Sequence, residues 1–286
     1  MSCNITYNNH LNFHNTPNYT VNVGRCSSMP TDFKSEAMRA AKLIAEKSKN
    51  IWISYSGGID SEFIIRVFLE AGINFRVATL VMKNETNDYD LQHSRSFCER
   101  MGLKLHEFEI DLEKFYKHDL ETYAVATNCI SPQFPVHMWL WDQLDGFIVA
   151  GHGDPIFKRK DDGWKFQVQE KEDSVYRYAK WRNRNMAPGF YAYTPELLLS
   201  FMLEKEVSNM FIAPNKAKLR DIIQVKHQVY SKYYSMTLRE KRTGFENVKN
   251  LDEAYRTHLK NTIDGHGVFL QPIGDLLDRL WPNYET

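Results

Sequence analysis

The stretch Ser56-Gly57-Gly58-Ile59-Asp60-Ser61 constrains this chain more than any other. Ile51-Trp52-Ile53-Ser54-Tyr55 runs into it and is short, β-branched and aromatic, which predicts a buried strand. Glu62 to Ala71 follows, closed by Gly72, which predicts a helix ending at a C′ glycine. The order is therefore strand, tight turn, helix. Two glycines let the backbone approach a ligand with no Cβ in the way. Free N–H groups at the start of the helix, with its dipole, favour an anion. Ser56 and Ser61 add hydroxyl donors. Asp60 is a poor phosphate contact alone, because like charges repel. It makes sense if a divalent cation sits between carboxylate and phosphate.

A second buried strand is expected over Phe75–Met82, joined to the first through a helix. That is a right-handed βαβ unit with parallel strands, and ligands sit at the carboxyl ends of such strands. A helix over Tyr89–Met101, a strand over Lys104–Ile110, a helix over Glu113–Ala126 and a helix over Val136–Leu144 follow. Asn87 reads as the cap of the first of these, with Asp88 and Asp90 in its first turn. A fourth strand, Gly146–Ala150, feeds Gly151-His152-Gly153-Asp154, again a glycine turn with a carboxylate. Asp154 reads either as a second metal ligand or as a turn residue before Pro155. His152 reads as a general base or as a histidine bonded beside a turn.

Lys158–Val168 reads as a hairpin, and Thr194-Pro195 as cap and first residue of a helix. Beyond it the composition is helical, with no further strand expected, through a helix over Leu251–Ile263 and an apolar close at Leu276–Trp281. Thr20–Val23 alternates like an edge strand. The fold expected is α/β: a doubly wound, mostly parallel sheet of about five strands with a helical C-terminal part. The division expected is an irregular extension (1–30), a nucleotide-binding core (31–155) and a mostly helical part that completes the site (156–286).

Composition excludes several classes. The formal net charge of zero argues against a strong, non-specific grip on nucleic acid. Tyr176–Arg184 interleaves bases and aromatics, and reads as a solvated helix face rather than an RNA-stacking surface. The four cysteines, Cys3, Cys26, Cys98 and Cys129, have no C-x-x-C spacing. They give neither a zinc site nor a disulfide framework, and fit a reducing cytoplasm. The first twenty residues do not read as a signal peptide, and no run is apolar and long enough to span a bilayer.

The Ser56–Ser61 turn resembles the S-G-G-x-D-S loop of the PP-loop ATP pyrophosphatases, of the wider HUP class. That superfamily includes asparagine, argininosuccinate, GMP and NAD synthetases and several tRNA-modifying enzymes. Lys216-Ala217-Lys218-Leu219-Arg220 and Arg239-Glu240-Lys241-Arg242-Thr243-Gly244-Phe245 are similar to the K-x-x-L-R and R-x-K-x-x-(G)-F elements of the asparagine synthetase synthetase domain. About fifty residues precede the loop, too few for the glutaminase domain of those enzymes. The Gly151–Asp154 turn departs from the family's G-[DE]-G-x-D-E: Asp154 comes one residue early, and His152 stands for an acid.

The resemblance implies ATP on Ser56, Gly57, Gly58, Asp60 and Ser61, with Gly151 beside them. It implies adenine against the backbone of Leu80 and Val81, and Mg²⁺ on Asp60 and Asp154. It implies that Lys241 neutralises departing pyrophosphate. The activity implied is adenylation of a carboxylate on a small-molecule substrate, then attack by ammonia, free or supplied by a separate chain. The alternatives are a tRNA- or nucleobase-modifying enzyme, and a nucleotide-binding module without catalysis.

Overall fold

The computed structural model describes residues 5–7, 21–151, 156–212, 219–240, 242–263 and 268–282. Two short strands, β1 (Ile5–Tyr7) and β2 (Val21–Val23), pair antiparallel. Helix α1 (Phe33–Lys47) then begins at Asp32, whose carboxylate accepts from the Ser35 N–H. It leads into β3 (Ile51–Ser54), α2 (Ile59–Glu70), β4 (Arg76–Met82), α3 (Asp88–Arg100) and β5 (Leu105–Ile110). Next come α4 (Leu112–His118), α5 (Leu120–Thr127), α6 (Gln133–Asp142) and β6 (Phe147–Ala150). A hairpin, β7 (Ile156–Lys160) and β8 (Gly163–Gln169), is followed by α7 (Glu170–Trp181) and β9 (Met186–Ala187). Then α8 (Pro195–Leu203), α9 (Lys205–Ile212), α10 (Leu219–Ser231), α11 (Lys249–Thr262), β10 (Val268–Pro272) and α12 (Ile273–Leu280) complete the chain.

The main sheet has the order β5-β4-β3-β6-β9, with every neighbouring pair parallel. Its central strands β3 and β6 are apolar on both faces, since helices cover both. Ile51, Ile53, Phe147 and Val149 pack on one side with residues of α1, α2, α3, α8 and α10. Trp52, Ile148 and Ala150 pack on the other with residues of α4 to α7 and α11. This is the expected doubly wound α/β sheet of about five strands; four of them match strand runs in the sequence, and β9 does not. From β3 the chain winds outward through β4 and β5, then returns to lay β6 and β9 on the opposite side. Strand order therefore reverses between β3 and β6, and the turns after these two strands open on one crevice.

Besides β1 and β9, which no run in the sequence announces, three elements differ from expectation. The helix over 113–126 is broken at Asp119, which ends α4 and starts α5. Helix α6 starts at Gln133, not Val136, and accommodates Pro135 in its first turn. A proline is tolerated there because its missing N–H has no intrahelical acceptor. The third is β10, in a region expected to be helical. It pairs antiparallel with β8, from Val268 opposite Gln169 to Pro272 opposite Lys165. A five-residue run is a strand only when an edge is offered to it, and β8 supplies that edge from a hundred residues upstream.

Candidate active site

Residues Ser56 to Gly58 make the turn from β3 into α2. Gly57 sits at φ +73°, and a Cβ there would lie 2.7 Å from the Asp90 carbonyl oxygen and 2.8 Å from Ser94 Oγ. Only glycine fits both the backbone and the space. Gly58 is the N-cap and brings no side-chain acceptor. The first N–H groups of α2 therefore have no capping side chain, which is the arrangement that binds an anion. The Ser61 hydroxyl donates to the Gly58 carbonyl at 3.1 Å and so braces the turn. Gly151, at the end of β6, comes against it: a Cβ at Gly151 would stand 3.4 Å from Ser61 Cβ. The fold thus brings Gly151, where the second glycine turn of the sequence begins, against the first turn. Asp154, His152 and Lys241 lie outside the described residues, as do Lys216 to Lys218.

A narrow cleft of about 50 Å³ opens beside the turn. Ser54 to Ser56 and Thr79, Leu80 and Met82 line it from the strand ends, Asp90, Leu91 and Ser94 from α3, and His137 and Leu140 from α6. Thr243 and Phe245 line it from the C-terminal segment. Leu80 is a wall of this cleft, whereas Val81, on the opposite face of the same strand, is not. Asn87 occupies the N-cap position of α3, but its side chain does not cap the helix. It donates to the Leu80 carbonyl at 2.9 Å and accepts from the Met82 N–H at 2.8 Å, tying off the end of β4.

Charged residues from distant parts of the chain grip the turn. Lys226 Nζ, on α10, lies 2.9 Å from both oxygens of Asp60. The Tyr230 hydroxyl, one helical turn further, donates to Asp60 Oδ1 at 2.8 Å. The Tyr191 hydroxyl donates to the Asp60 carbonyl at 2.7 Å. Arg239 donates through Nη1 to Asp90 Oδ1 at 2.9 Å and through Nη2 to the Gly57 carbonyl. Asp90 Oδ1 also accepts from the Arg242 N–H at 3.2 Å, while its Oδ2 is buried without a partner. Glu62, buried in the first turn of α2, accepts from Arg66 at 2.8 Å and pairs with His93 Nε2 at 3.1 Å. Burial pushes the Glu62 carboxyl up, but the His93 and Arg66 contacts outweigh it and leave the group below the ordinary range. Burial, then the Glu62 charge, pushes the neighbouring Tyr55 phenol well above its usual value.

Lys226, Tyr230, Tyr191 and Asp90 carried no motif. The helical spacing of Lys226 and Tyr230 was the one available signal, and it does not say what that face touches. Arg239 was visible as the first residue of the R-x-K element, and it reaches the loop. The chemistry of a divalent cation asks for oxygen ligands. Among the described residues no group of three or more His, Cys, Asp or Glu is placed to hold one. Both Asp60 oxygens are engaged by an ammonium. The described residues therefore offer no ready-made metal site in the absence of a nucleotide.

Sheet, switch point and glycine turn define a doubly wound α/β domain whose crevice lies at the strand ends. A family model described as NAD synthase matches residues 35–130, the stretch that carries the loop and well under half of the chain. No curated protein matches. Among solved structures, the NH3-dependent NAD synthetase of Campylobacter jejuni is 14% identical at a TM-score of 0.36, covering 81% of this chain and 93% of that one. The glutamine-dependent NAD+ synthetase of Acinetobacter baumannii is 12% identical at 0.36, covering 84% of this chain and 48% of that one. The U34-tRNA thiolase NcsA of Methanococcus maripaludis is 12% identical at 0.34, covering 80% of this chain and 78% of that one. Superpositions this loose carry no argument about what the chain does.

Proposed function

We propose that this chain is an AMP-forming ligase of the PP-loop superfamily, which adenylates a carboxylate on a small molecule and passes the acyl group to ammonia. The carrying observation is the uncapped helix N-terminus at Gly57–Ser61, at the switch point of the sheet and beside a cleft lined by the ends of β3 and β4. The match to the NAD synthase model over the loop region supports it, since an NAD synthase makes an amide from an acid. The motif likeness to asparagine synthetases points to the same reaction class.

In this reading ATP enters as its magnesium complex. Its base takes the apolar wall of Leu80, Met82 and Leu140, and its terminal phosphates take the N–H groups of α2. A substrate carboxylate oxygen attacks the α-phosphorus. The bond to the β-phosphate oxygen breaks, and pyrophosphate leaves with the electron pair. Ammonia then attacks the acyl carbon, AMP departs, and a proton is lost from nitrogen. Phe245 and Thr243 wall the cleft and keep water from the adenylate. Lys241, two residues beyond Arg239, is the cation proposed to meet the departing pyrophosphate, and Gly151 leaves room beside Ser61. Asp154 remains a proposed contact of the same turn.

A thiolating enzyme needs a reactive thiolate. Cys98 and Cys129 are buried, and burial pushes the Cys98 thiol up to about 11 and the Cys26 thiol up to about 12. These three thiols favour the ligase. ATP–pyrophosphate exchange, screened across amino acids, nicotinate nucleotides and other small carboxylic acids, tests it. The expected result is acid-dependent exchange, with AMP as the adenine product. Accumulation of ADP, or ATP binding without exchange under any acid, removes the reading.

A further inference from the structure

The loop carboxylate and the cation beside it do not match a metal site, and the mismatch is specific. Asp60 is held from three directions. Lys226 meets both of its oxygens, Tyr230 donates to one of them, and Tyr191 holds its peptide carbonyl. None of these partners is a loose surface group. The Lys226 side chain is 9% exposed, whereas the Asp60 carboxylate is 26% exposed. Tyr230 and Tyr191 are buried in a stack of rings with Phe33 and Phe63; the Phe63 and Tyr230 centroids are 4.6 Å apart. The ammonium is thus built into the core while the carboxylate faces the open side.

A divalent ion at Asp60 would stand beside this ammonium and compete with it for the same carboxylate. Like charges at such range oppose each other's binding, and only 9% of the Lys226 side chain is exposed. Without the added negative charge of phosphate, the lysine wins by position alone.

We propose that Lys226 is the cation that occupies Asp60 in the nucleotide-free protein and sets the divalent-ion affinity of the loop. Asp60 binds no metal until a triphosphate brings both the metal and the extra negative charge. Lys226 is a positioning residue in this account: it acts on the metal through Asp60. The inference deepens the phosphate-seat reading of the same turn.

The test is Mn²⁺ binding to the nucleotide-free chain, read by electron paramagnetic resonance, on wild type, Asp60→Asn, Lys226→Gln, Lys226→Arg and the double variant Asp60→Asn/Lys226→Gln. Wild type should show no site tighter than about 1 mM that Asp60→Asn removes. Lys226→Gln should gain a site roughly tenfold or more tighter than any wild-type site, and the double variant should lose it. Lys226→Arg, which keeps the charge, should gain none. A wild-type site abolished by Asp60→Asn overturns the proposal, and so does a Lys226→Gln protein with no Asp60-dependent gain. Should Lys226→Gln fail to fold, the wild type with Asp60→Asn and Lys226→Arg still decides. None of these measurements uses ATP, so they stand apart from the exchange assay.

Discussion

Gly57 shows how narrow the tolerance of the loop is. Its positive φ and the 2.7 Å approach of the Asp90 carbonyl act against any side chain. Gly57→Ala is expected to lose about 1–3 kcal/mol from backbone strain, with the clash added. Nucleotide affinity should fall further than stability does, because the strain sits at the proposed phosphate seat. Isothermal titration with ATP and a thermal melt of the same variant would show it; wild-type affinity would mean that the turn does not touch the ligand. The Asp60 contacts change what its replacement means. Losing one member of a buried ion pair costs about 3–5 kcal/mol, and exposure of the carboxylate puts this pair toward or below the lower end. Substituting Asp60 therefore perturbs packing as well as chemistry, and a melt must accompany any activity loss. The turn itself was legible because its six residues are contiguous. Its partners were not, since Lys226 lies 166 positions from Asp60, and Arg239 lies 182 from Gly57.

At the scale of elements, Asp145 joins the N-terminal ends of three strands, opposite the active crevice. It precedes β6 and accepts from Trp52 Nε1 of β3 at 2.9 Å, from Asn50 Nδ2 at 3.1 Å and from Arg76 of β4 at 2.7 Å. The Trp52 hydrogen bond, then that of Asn50, then Arg76, hold its carboxyl down at about 2. A carboxyl depressed on folding stabilises above its unfolded pKa, near 4, and that contribution fades as pH falls toward the folded value. Asp145→Asn should thus melt below wild type at pH 7, and the two should converge as pH falls from about 4 to about 2. A gap that stays constant with pH would assign the loss to packing. Arg76 also lies over the Trp52 ring, 3.9 Å from its centroid, so the same corner has an apolar hold. Elements with their own punctuation were readable: Thr194 caps α8 with Pro195 at its first position, and its Oγ1 accepts from the Leu197 N–H. Strand β10 and the break at Asp119 had no such local mark.

Across the whole molecule, the C-terminal region is woven into the first half. Strand β9 extends the main sheet, α8 packs on α1, and α10 carries Lys226 to the loop. Helix α12 buries Leu276 and Leu280 in the core, and the Leu280 carbonyl accepts from the Cys26 N–H at 2.9 Å. Leu280→Ala should therefore cost about 2–5 kcal/mol of global stability. Denaturant unfolding should show a lower midpoint with one transition and an unchanged slope. A second transition would mean that the closing helix unfolds apart from the sheet. No helix among the described residues is long and apolar enough to cross a membrane.

By itself the sequence determined the parallel strands, the bare turn and the helix behind it. Those depend on neighbours a few positions apart: apolar runs, glycines, a missing cap. Only the tertiary structure decided which cation meets Asp60, which arginine closes the back of Gly57, and which edge β10 joins. A lysine on a helix is one of many until packing turns its face, and burial then makes the Asp60 carboxylate a charge it must keep.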